Sequence, residues 1–184
     1  PTMNIPYTIF RYQNVYGAGQ SLNNPYTGIL SIFSKLLLKN QNLNIFEDGK
    51  ESRDFVHVSD VAAITCNAIE NVATNYQHIN VGTGEKISVM QLAETFKKLY
   101  SSNSEIIVSG DFRKGDIRHN IADTNRAKTL CEFKPEYTFE KGMEEFTSWV
   151  KKQNKEKGLE KSDDIFEHSI DEMKETGMLI QAKR

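Results

Sequence analysis

The sequence predicts an α/β fold, because β-branched and aromatic segments alternate with segments whose apolar residues recur at helical spacing. The strand-like segments are residues 5–12, 43–46, 53–58, 78–82 and 105–109. Strands separated by helices are typical of parallel sheets. Strong core strands are too few for a complete doubly wound domain, so we expect the chain to be the second part of a larger fold.

The first half supports this prediction element by element. Residues 5–12 (IPYTIFRY) are expected to be a buried strand, and the glycine-punctuated residues 14–20 a loop. Residues 28–40 place apolar side chains on one side of a helix. After two short strands, Ser59 is a candidate N-cap for the next helix, whose apolar stripe comprises Val61, Ile64, Ala68, Ile69 and Val72.

The second half repeats the alternation. The strand at 78–82 ends in a Gly-Thr-Gly turn, and Ser88 and Gln91 have the spacing of a helix capping box. Asp123 is expected to open a short helix, and Thr138 the last long one. The second half thus adds further strand and helix pairs to the same layered fold.

Composition divides the chain near residue 150, into residues 1–150 and a tail at 151–184. The tail holds 8 basic and 8 acidic side chains. Its first part, residues 151–164, contains a single large apolar residue, so we expect a solvated linker there. A short amphipathic helix that needs a docking surface is expected to follow, with its apolar face formed by Ile165, Phe166, Ile170 and Met173.

Charge and composition exclude several classes of protein. The net charge is 23 − 25 = −2, and basic residues do not gather on one face, so no nucleic-acid partner is expected. No apolar run approaches the ~20 residues of a membrane helix, and the start lacks a signal-peptide layout, which favours a cytoplasmic protein. Cys66 and Cys131 are expected to be buried free thiols, and neither cysteines nor histidines show metal-ligand spacing.

Five segments carry a family resemblance. They are RYQNVYGAGQ (11–20), NPYTGIL (24–30), LNIFEDGKESRDFVHVSDVA (43–62), NVGTGEKISVMQLAE (80–94) and RKGDIRHNIADTNRAK (113–128). Together they resemble the extended short-chain dehydrogenase/reductase family that acts on nucleotide sugars, over roughly residues 5–150. The stretch RDFVHVSD is especially similar to 4-epimerases of UDP- or dTDP-hexoses, of the dTDP-rhamnose type.

The resemblance implies the last strands of an NAD(P)-binding Rossmann-like fold, joined to the α/β substrate-binding region in residues 1–150. It implies NAD as cofactor, held mostly by an N-terminal half that lies outside this sequence. The implied substrate is a nucleoside diphosphate sugar, a UDP- or dTDP-hexose, and the intact protein is expected to be a homodimer. The implied reaction is epimerisation at C4 through a transient 4-keto sugar.

Two arginines are the candidate phosphate ligands. Guanidinium groups offer planar bidentate donors that match phosphate oxygens, and the resemblance assigns this role to Arg53 and Arg113. The alternative for each is a surface ion pair with a nearby acid, namely Asp48 or Asp54 for Arg53, and Asp111 or Asp116 for Arg113.

Other substrate-binding residues follow from the same resemblance. Asp116 would accept hydrogen bonds from the ribose hydroxyls, or else serve only as a turn residue after Gly115. Phe46, with Asn44 beside it, would flank the base, the alternative being a plain core position. Asn14 would bind the diphosphate or sugar, or else stabilise a turn.

Four residues complete the predicted site. Thr27 and Gly28 fall where the sugar ring would lie, on the first turn of a helix with free N–H groups, and Thr27 is alternatively an N-cap. Tyr12 and Val15 lie where the chain of the resembling family runs beside the nicotinamide ring, and they are the predicted cofactor contacts.

Catalytic residues are not expected within this sequence. It contains no G-x-x-G-x-x-G, the turn that admits a dinucleotide pyrophosphate. Its Tyr137-x-x-x-Lys141 string straddles a helix start, so it is not expected to be the catalytic pair of the family. A 4,6-dehydratase or decarboxylase of the same family stays open as an alternative, as does a non-catalytic remnant or binding module.

Overall fold

The structure, a computed structural model, describes residues 4–22, 28–158 and 170–182. Its strands are β1 (Thr8–Tyr12), β2 (Asn14–Tyr16), β3 (Leu43–Ile45), β4 (Ser52–Arg53), β5 (Phe55–His57), β6 (Gln77–Val81), β7 (Ile87–Ser88), β8 (Ile106–Val108), β9 (Phe112–Arg113), β10 (His119–Asn120) and β11 (Leu179–Ile180). Its helices are α1 (Gly28–Leu38), α2 (Val58–Ile69), α3 (Val89–Tyr100), α4 (Asn125–Cys131) and α5 (Phe139–Lys157), with a 3₁₀ turn at Val72–Thr74 and a helical segment at 170–175.

Parallel pairing dominates the strands, which confirms the α/β prediction. β1 pairs with β6, β2 with β5 and β3 with β8, all in parallel. β4 lies between a parallel neighbour, β10, and an antiparallel one, β7, while β11 runs antiparallel to β9. Parallel neighbours cannot be joined by a tight hairpin, so long connections separate them: α1 lies between β2 and β5, α1 and α2 lie between β1 and β6, and α2 and α3 lie between β3 and β8.

The main core lies among α1, α3, α5 and β3. Its buried side chains include Leu30, Phe33, Leu37, Leu43, Leu92, Phe96, Met143 and Phe146. A smaller cluster joins α2 and β6 to α4 through Ile64, Ile79, Val81, Ala127, Cys131 and Phe133. None of the helices in the described ranges combines the length and the apolar surface that crossing a lipid bilayer requires.

Two predicted helix caps are confirmed. The Ser88 hydroxyl accepts from the Gln91 N–H at 3.1 Å, and the Gln91 side-chain oxygen accepts from the Ser88 N–H at 2.9 Å, which completes the capping box of α3. The Thr138 hydroxyl accepts from the Lys141 N–H at 3.3 Å and caps α5. Local side-chain geometry settles both ends, which is why sequence spacing was enough to locate them.

Two other predicted helix starts are displaced. Ser59 is not a cap: α2 begins at Val58, and the His57 Nδ1 accepts from the Ser59 N–H at 3.3 Å. A histidine nitrogen replaces the expected hydroxyl because β5 leads directly into the helix. Asp123 lies two residues before α4 and accepts from the Asn125 N–H at 3.0 Å, while Thr124 occupies the N-cap position.

The first strand is shorter and more exposed than predicted. β1 covers only Thr8–Tyr12, and Ile9 and Tyr12 are 45% and 43% exposed. Among the described residues β1 pairs with β6 alone, so its other edge has no neighbouring strand. The predicted loop is also wrong at its start: Asn14–Tyr16 forms β2, because β5 supplies a parallel hydrogen-bonding partner.

The charged tail begins later than composition indicates. α5 continues to Lys157, so residues 151–157 are helical and not a linker. Lysine, glutamate and glutamine are good helix formers, and the Lys151 ammonium donates to the Leu99 carbonyl at 2.7 Å, which ties this part of the helix to α3. Of the predicted amphipathic helix, Ile170 and Met173 lie on the helical segment 170–175, while Ile165 and Phe166 fall outside the described residues.

One of the two cysteines is placed differently from the prediction. Cys131 is a buried free thiol, and burial raises its pKa. Cys66 is also free but exposed, because it lies on the solvent side of α2. Helical position alone did not distinguish the two faces at this residue.

Candidate functional site

A single cleft gathers most of the predicted site residues. It has a volume of about 660 Å³ and lies between α1, the strands β2, β3 and β4, the loop that carries β9, and the helical segment 170–175. We call it the arginine cleft. The predicted residues that line it are Asn14, Val15, Gly28, Asn44, Phe46, Arg53, Arg113 and Asp116.

Arg53 is held rigidly at the cleft wall. Its Nη1 donates to the carbonyls of Ser52 and Arg118 at 3.0 and 3.2 Å, and its Nη2 donates to Asp116 Oδ1 at 2.8 Å. The alternative ion pairs with Asp48 or Asp54 are wrong, because both carboxylates bind other groups. Three contacts fix the guanidinium in one orientation, as recognition of a planar anion requires.

Arg113 faces the same cleft and is held differently. Its guanidinium lies over the ring of Phe46, 5.4 Å from the ring centroid. Neither alternative ion pair forms: Asp111 accepts from the Ala182 N–H at 3.0 Å, and Asp116 pairs with Arg53. Within the described residues Arg113 forms no ion pair, so its donors remain available to an anion.

Asp116 lies in a turn, as one of the two predictions for this residue expects. Gly115 turns the loop with φ +83°, and Asp116 Oδ1 accepts from the Ile117 N–H at 2.8 Å, as a turn residue would. The same oxygen accepts from Arg53. No described residue donates to Oδ2, and the side chain is 44% exposed, so this oxygen can accept from a hydroxyl group in the cleft.

The aromatic and amide side chains lie on strands at the floor of the cleft. Phe46 follows β3 and is half-buried, and it belongs to neither core cluster of the described residues. Asn44 is exposed on β3. Asn14 lies on β2 and not in a turn, and it lines the cleft. Its side-chain Nδ2 donates to the Asp54 carbonyl at 3.1 Å.

The remaining predicted residues differ in placement. Gly28 begins α1 with φ +79° and lines the cleft, whereas Thr27 lies outside the described residues. Val15 lines the cleft and is 38% exposed. Tyr12 does not line the cleft: its hydroxyl lies 2.9 Å from the Thr65 hydroxyl on α2.

The Tyr137 and Lys141 string lacks the electrostatics of a catalytic pair. The Lys141 ammonium lies over the Tyr137 ring, 4.2 Å from its centroid, and α5 starts between them at Phe139. A hydrogen bond with Glu145 raises the pKa of Tyr137, with burial and the Glu145 charge acting in the same direction. The two residues straddle the start of α5, as their spacing predicts.

The sequence analysis missed Asp54, a buried carboxylate that lies next to Arg53 in the sequence and binds backbone N–H groups of two loops. Asp54 is fully buried, and its two oxygens accept from the backbone N–H groups of Thr83, Gly84 and Ala122 at 2.8, 2.9 and 3.1 Å. A side chain at Gly82 would collide with this carboxylate. The signal was present in the sequence, since an acid inside an apolar strand must find several donors.

The Gly82-Thr83-Gly84 turn is consequently unable to hold a pyrophosphate. Its amide donors point to Asp54 instead of a ligand. The prediction that this segment is a structural turn is confirmed on that ground.

A second missed group is Arg118, which lies among three acids beside the cleft. It contacts Glu47, Asp48 and Glu51 at 2.8, 2.7 and 3.4 Å. Its hydrogen bond lowers the pKa of Asp48 to about 2, whereas burial raises the pKa of Glu51, helped by the adjacent Glu47. Within the described residues, these three carboxylates have a spacing that could suit a metal ion, but the Arg118 guanidinium already lies among them.

Parallel strand pairs with helices between them define an α/β protein, and its cleft holds two arginines, one of which lies over an aromatic ring. Residues 2–82 match the sequence profile of the NAD dependent epimerase/dehydratase family. A dTDP-L-rhamnose 4-epimerase from Burkholderia thailandensis is 35% identical over 145 residues, which cover 79% of this chain and 40% of that protein.

Two further comparisons agree. A UDP-N-acetyl-alpha-D-glucosaminuronate decarboxylase from Bacillus cytotoxicus is 31% identical over 153 residues, which cover 80% of this chain and 47% of that protein. The crystal structure of a UDP-glucose 4-epimerase from Thermotoga maritima with UDP-glucose superimposes with a TM-score of 0.73 and 32% identity, covering 81% of this chain and 47% of that one. The chain belongs to the NAD dependent epimerase/dehydratase family, and it spans less than half of the length of each of these relatives.

Proposed function

We propose that this chain forms the nucleotide-sugar-binding part of an NAD-dependent nucleotide-sugar 4-epimerase. The observation that carries the proposal is the arginine cleft, where Arg53 and Arg113 face one cavity of about 660 Å³ although 60 residues separate them in the chain. The epimerases among the relatives support the reaction type. A cavity of this size suits a nucleotide-sized ligand.

Each part of a nucleoside diphosphate sugar finds a suitable group in the cleft. The two guanidinium groups would hold the diphosphate, because delocalised cations form strong bidentate contacts with phosphate oxygens. Asp116 would accept from the ribose hydroxyls, and the Phe46 ring would stack on the flat base. Asn14 would bind the sugar end.

This arrangement suits an epimerase for a physical reason. Most of the binding energy would come from the nucleotide, so the hexose could rotate between the two hydride transfers without leaving the protein. In the proposed reaction the C4 hydroxyl is oxidised to a ketone, and the hydride then returns to the opposite face of C4. NAD supplies the hydride acceptor when it is bound.

The described residues do not by themselves form an NAD site. Val15 lines the cleft, but Tyr12 lies away from it, and the amides of the Gly82-Thr83-Gly84 turn are already bonded to Asp54. The sequence holds no glycine-rich dinucleotide turn. We therefore assign nucleotide-sugar binding to this chain, and assign the dinucleotide and the proton transfer to other parts of the protein.

Calorimetric titration of the protein tests the proposal. UDP-glucose and dTDP-glucose should bind, UDP should bind nearly as well, and glucose 1-phosphate should bind far more weakly, since the nucleotide is the anchor. Double substitution Arg53→Ala/Arg113→Ala should abolish the binding, while Arg126→Ala should not, because Arg126 lies on α4 and donates to the His78 carbonyl at 3.1 Å. Equal affinity for glucose 1-phosphate and for UDP would contradict the assignment.

A decarboxylase is the second candidate, because one relative carries that name. Because the described residues do not form an NAD site, the two are separated by incubating the intact protein with NAD and UDP-glucuronate. A 4-epimerase gives an isomer of unchanged mass, whereas a decarboxylase releases carbon dioxide and a pentose nucleotide. A 4,6-dehydratase needs a C6 hydroxyl, so it is tested with UDP-glucose, from which it would release water and give a stable 4-keto sugar. A binding module would return both substrates unchanged.

A further inference from the structure

Residues 178–182 lie against the loop that carries Arg113. β11 pairs antiparallel with β9 and places Leu179 opposite Arg113. On one side of this pair the Lys114 N–H donates to the Met178 carbonyl at 2.8 Å, and on the other the Ala182 N–H donates to Asp111 at 3.0 Å. The backbone is therefore held on both sides of Arg113 by residues near the end of the chain.

The same segment also forms part of the cleft wall. Ile170 and Met173 line the arginine cleft with Phe46 and Arg113, and both are half-buried. They are three residues apart on one helical segment, so they share one face. After this helix the chain turns at Gly177, whose φ is +67°, and enters β11.

Charge indicates which part of a ligand this wall meets. The outer face of the helical segment carries Asp171, Glu172 and Glu175, all exposed, and Asp171 is paired with Lys174 at 2.9 Å. Acidic groups would repel phosphates, whereas the inner face offers only aliphatic and thioether surface. Such a surface suits an uncharged flat ring, and a methionine adapts its shape to one.

We infer that residues 170–182 form a strap that covers the base end of the nucleotide and positions Arg113 for the diphosphate. The inference deepens the proposed function and rests on it. The family resemblance ends near residue 150, so the strap is a feature of this chain beyond the resembling region. Met173 and Ile170 are its ligand contacts, and Leu179, which is 6% exposed, is the residue that docks it.

A matched pair of substitutions tests the docking. Leu179→Asp puts a charge into a buried position and should release the strap, whereas Met178→Asp puts the same charge at a neighbouring side chain that is 54% exposed. Without ligand, trypsin should cleave after Arg113 faster in Leu179→Asp than in wild type or Met178→Asp. Equal cleavage rates in all three proteins would overturn the positioning role of the strap.

Calorimetry with UDP-glucose tests the ligand contact. Arg113 must be ordered on binding once the strap is released, and ordering one long side chain weakens binding by about 2- to 12-fold. Leu179→Asp should therefore bind UDP-glucose more weakly than Met178→Asp does. Met173→Ala should weaken the binding of UDP-glucose without changing the rate of tryptic cleavage. This variant keeps the test valid if Leu179→Asp fails to fold.

The outcomes separate the two ideas. Tighter binding by Leu179→Asp would mean that the segment blocks the cleft, which overturns the strap as a ligand contact. Unchanged binding by both Leu179→Asp and Met173→Ala would overturn it as well. If wild-type protein binds neither UDP-glucose nor dTDP-glucose, the proposed function fails, and tryptic cleavage after Arg113 still decides whether the segment holds that loop.

Discussion

Substitution of Arg113 by alanine should lower the affinity for UDP-glucose while leaving the stability of the fold almost unchanged. Arg113 is exposed on β9, and its contact in the described residues is with the Phe46 ring, 5.4 Å from the guanidinium carbon. A cation over an aromatic ring at an exposed site contributes about 0.5–1 kcal/mol, so the unfolding free energy should fall by no more than that.

The loss of affinity should be larger. A hydrogen bond to a charged group contributes about 1.5–3 kcal/mol, which corresponds to a weakening of about 10- to 150-fold. Arg113→Lys should fall between wild type and Arg113→Ala, because lysine keeps the charge but loses the planar pair of donors. The weakening should shrink at high salt, since an exposed charge is screened.

Calorimetric titration with UDP-glucose measures the effect, and urea unfolding of the same samples measures stability. Lys114→Ala is the matched control, because it removes the same charge one residue further along, at a side chain that does not line the cleft. Equal affinities of Arg113→Ala, Lys114→Ala and wild type would refute the assignment of Arg113 to the diphosphate.

Three further predictions concern stability. Burial lowers the pKa of His57 below 6.5, so the unfolded chain takes up a proton at a higher pH than the folded chain does. The free energy of unfolding should therefore fall as the pH drops through 6.5 toward the folded pKa. Unfolding measured at about pH 8 and at about pH 5.5 should show this fall in wild type but not in His57→Gln. Gly142→Ala would place a methyl group against the Tyr16 hydroxyl, and overpacking of this kind costs about 1–3 kcal/mol. The midpoint of thermal melting should fall in Gly142→Ala, and adding Tyr16→Phe should partly restore it. A higher midpoint for the single variant would contradict the packing. Asp54→Asn should cost about 1–3 kcal/mol, because one of the two oxygens that accept from buried N–H groups becomes an NH2 donor. The exposed Asp123→Asn should cost little, and similar urea midpoints for the two variants would count against this role of Asp54.

The elements that could be predicted from sequence are those decided by neighbouring residues. The capping box of Ser88 and Gln91 and the cap at Thr138 depend on atoms three residues apart, and the spacing alone located them. The apolar periodicity of residues 28–40 likewise predicted a helix, α1, that packs in the main core. The α/β class followed from the same periodicities.

Predictions failed where a distant partner makes the decision. Asn14–Tyr16 is a strand because β5 lies beside it, and residues 14 and 55 are far apart in the sequence. β1 is exposed because it has one neighbouring strand among the described residues, a fact that its own apolar composition cannot reveal. The alternative ion pairs proposed for the two arginines were also wrong. Arg53 pairs with Asp116, which lies 63 residues away in the sequence.

By itself the sequence determined the class of fold and the starts of α3 and α5, and it supplied the candidate residues for binding a nucleoside diphosphate sugar. Only the tertiary structure decided that Arg53 is clamped while Arg113 stays available, and that residues 170–182 border the same cleft. The physical reason is range. Caps and apolar stripes depend on contacts within a few residues, whereas the charge and shape of a cleft depend on side chains brought together from distant parts of the chain.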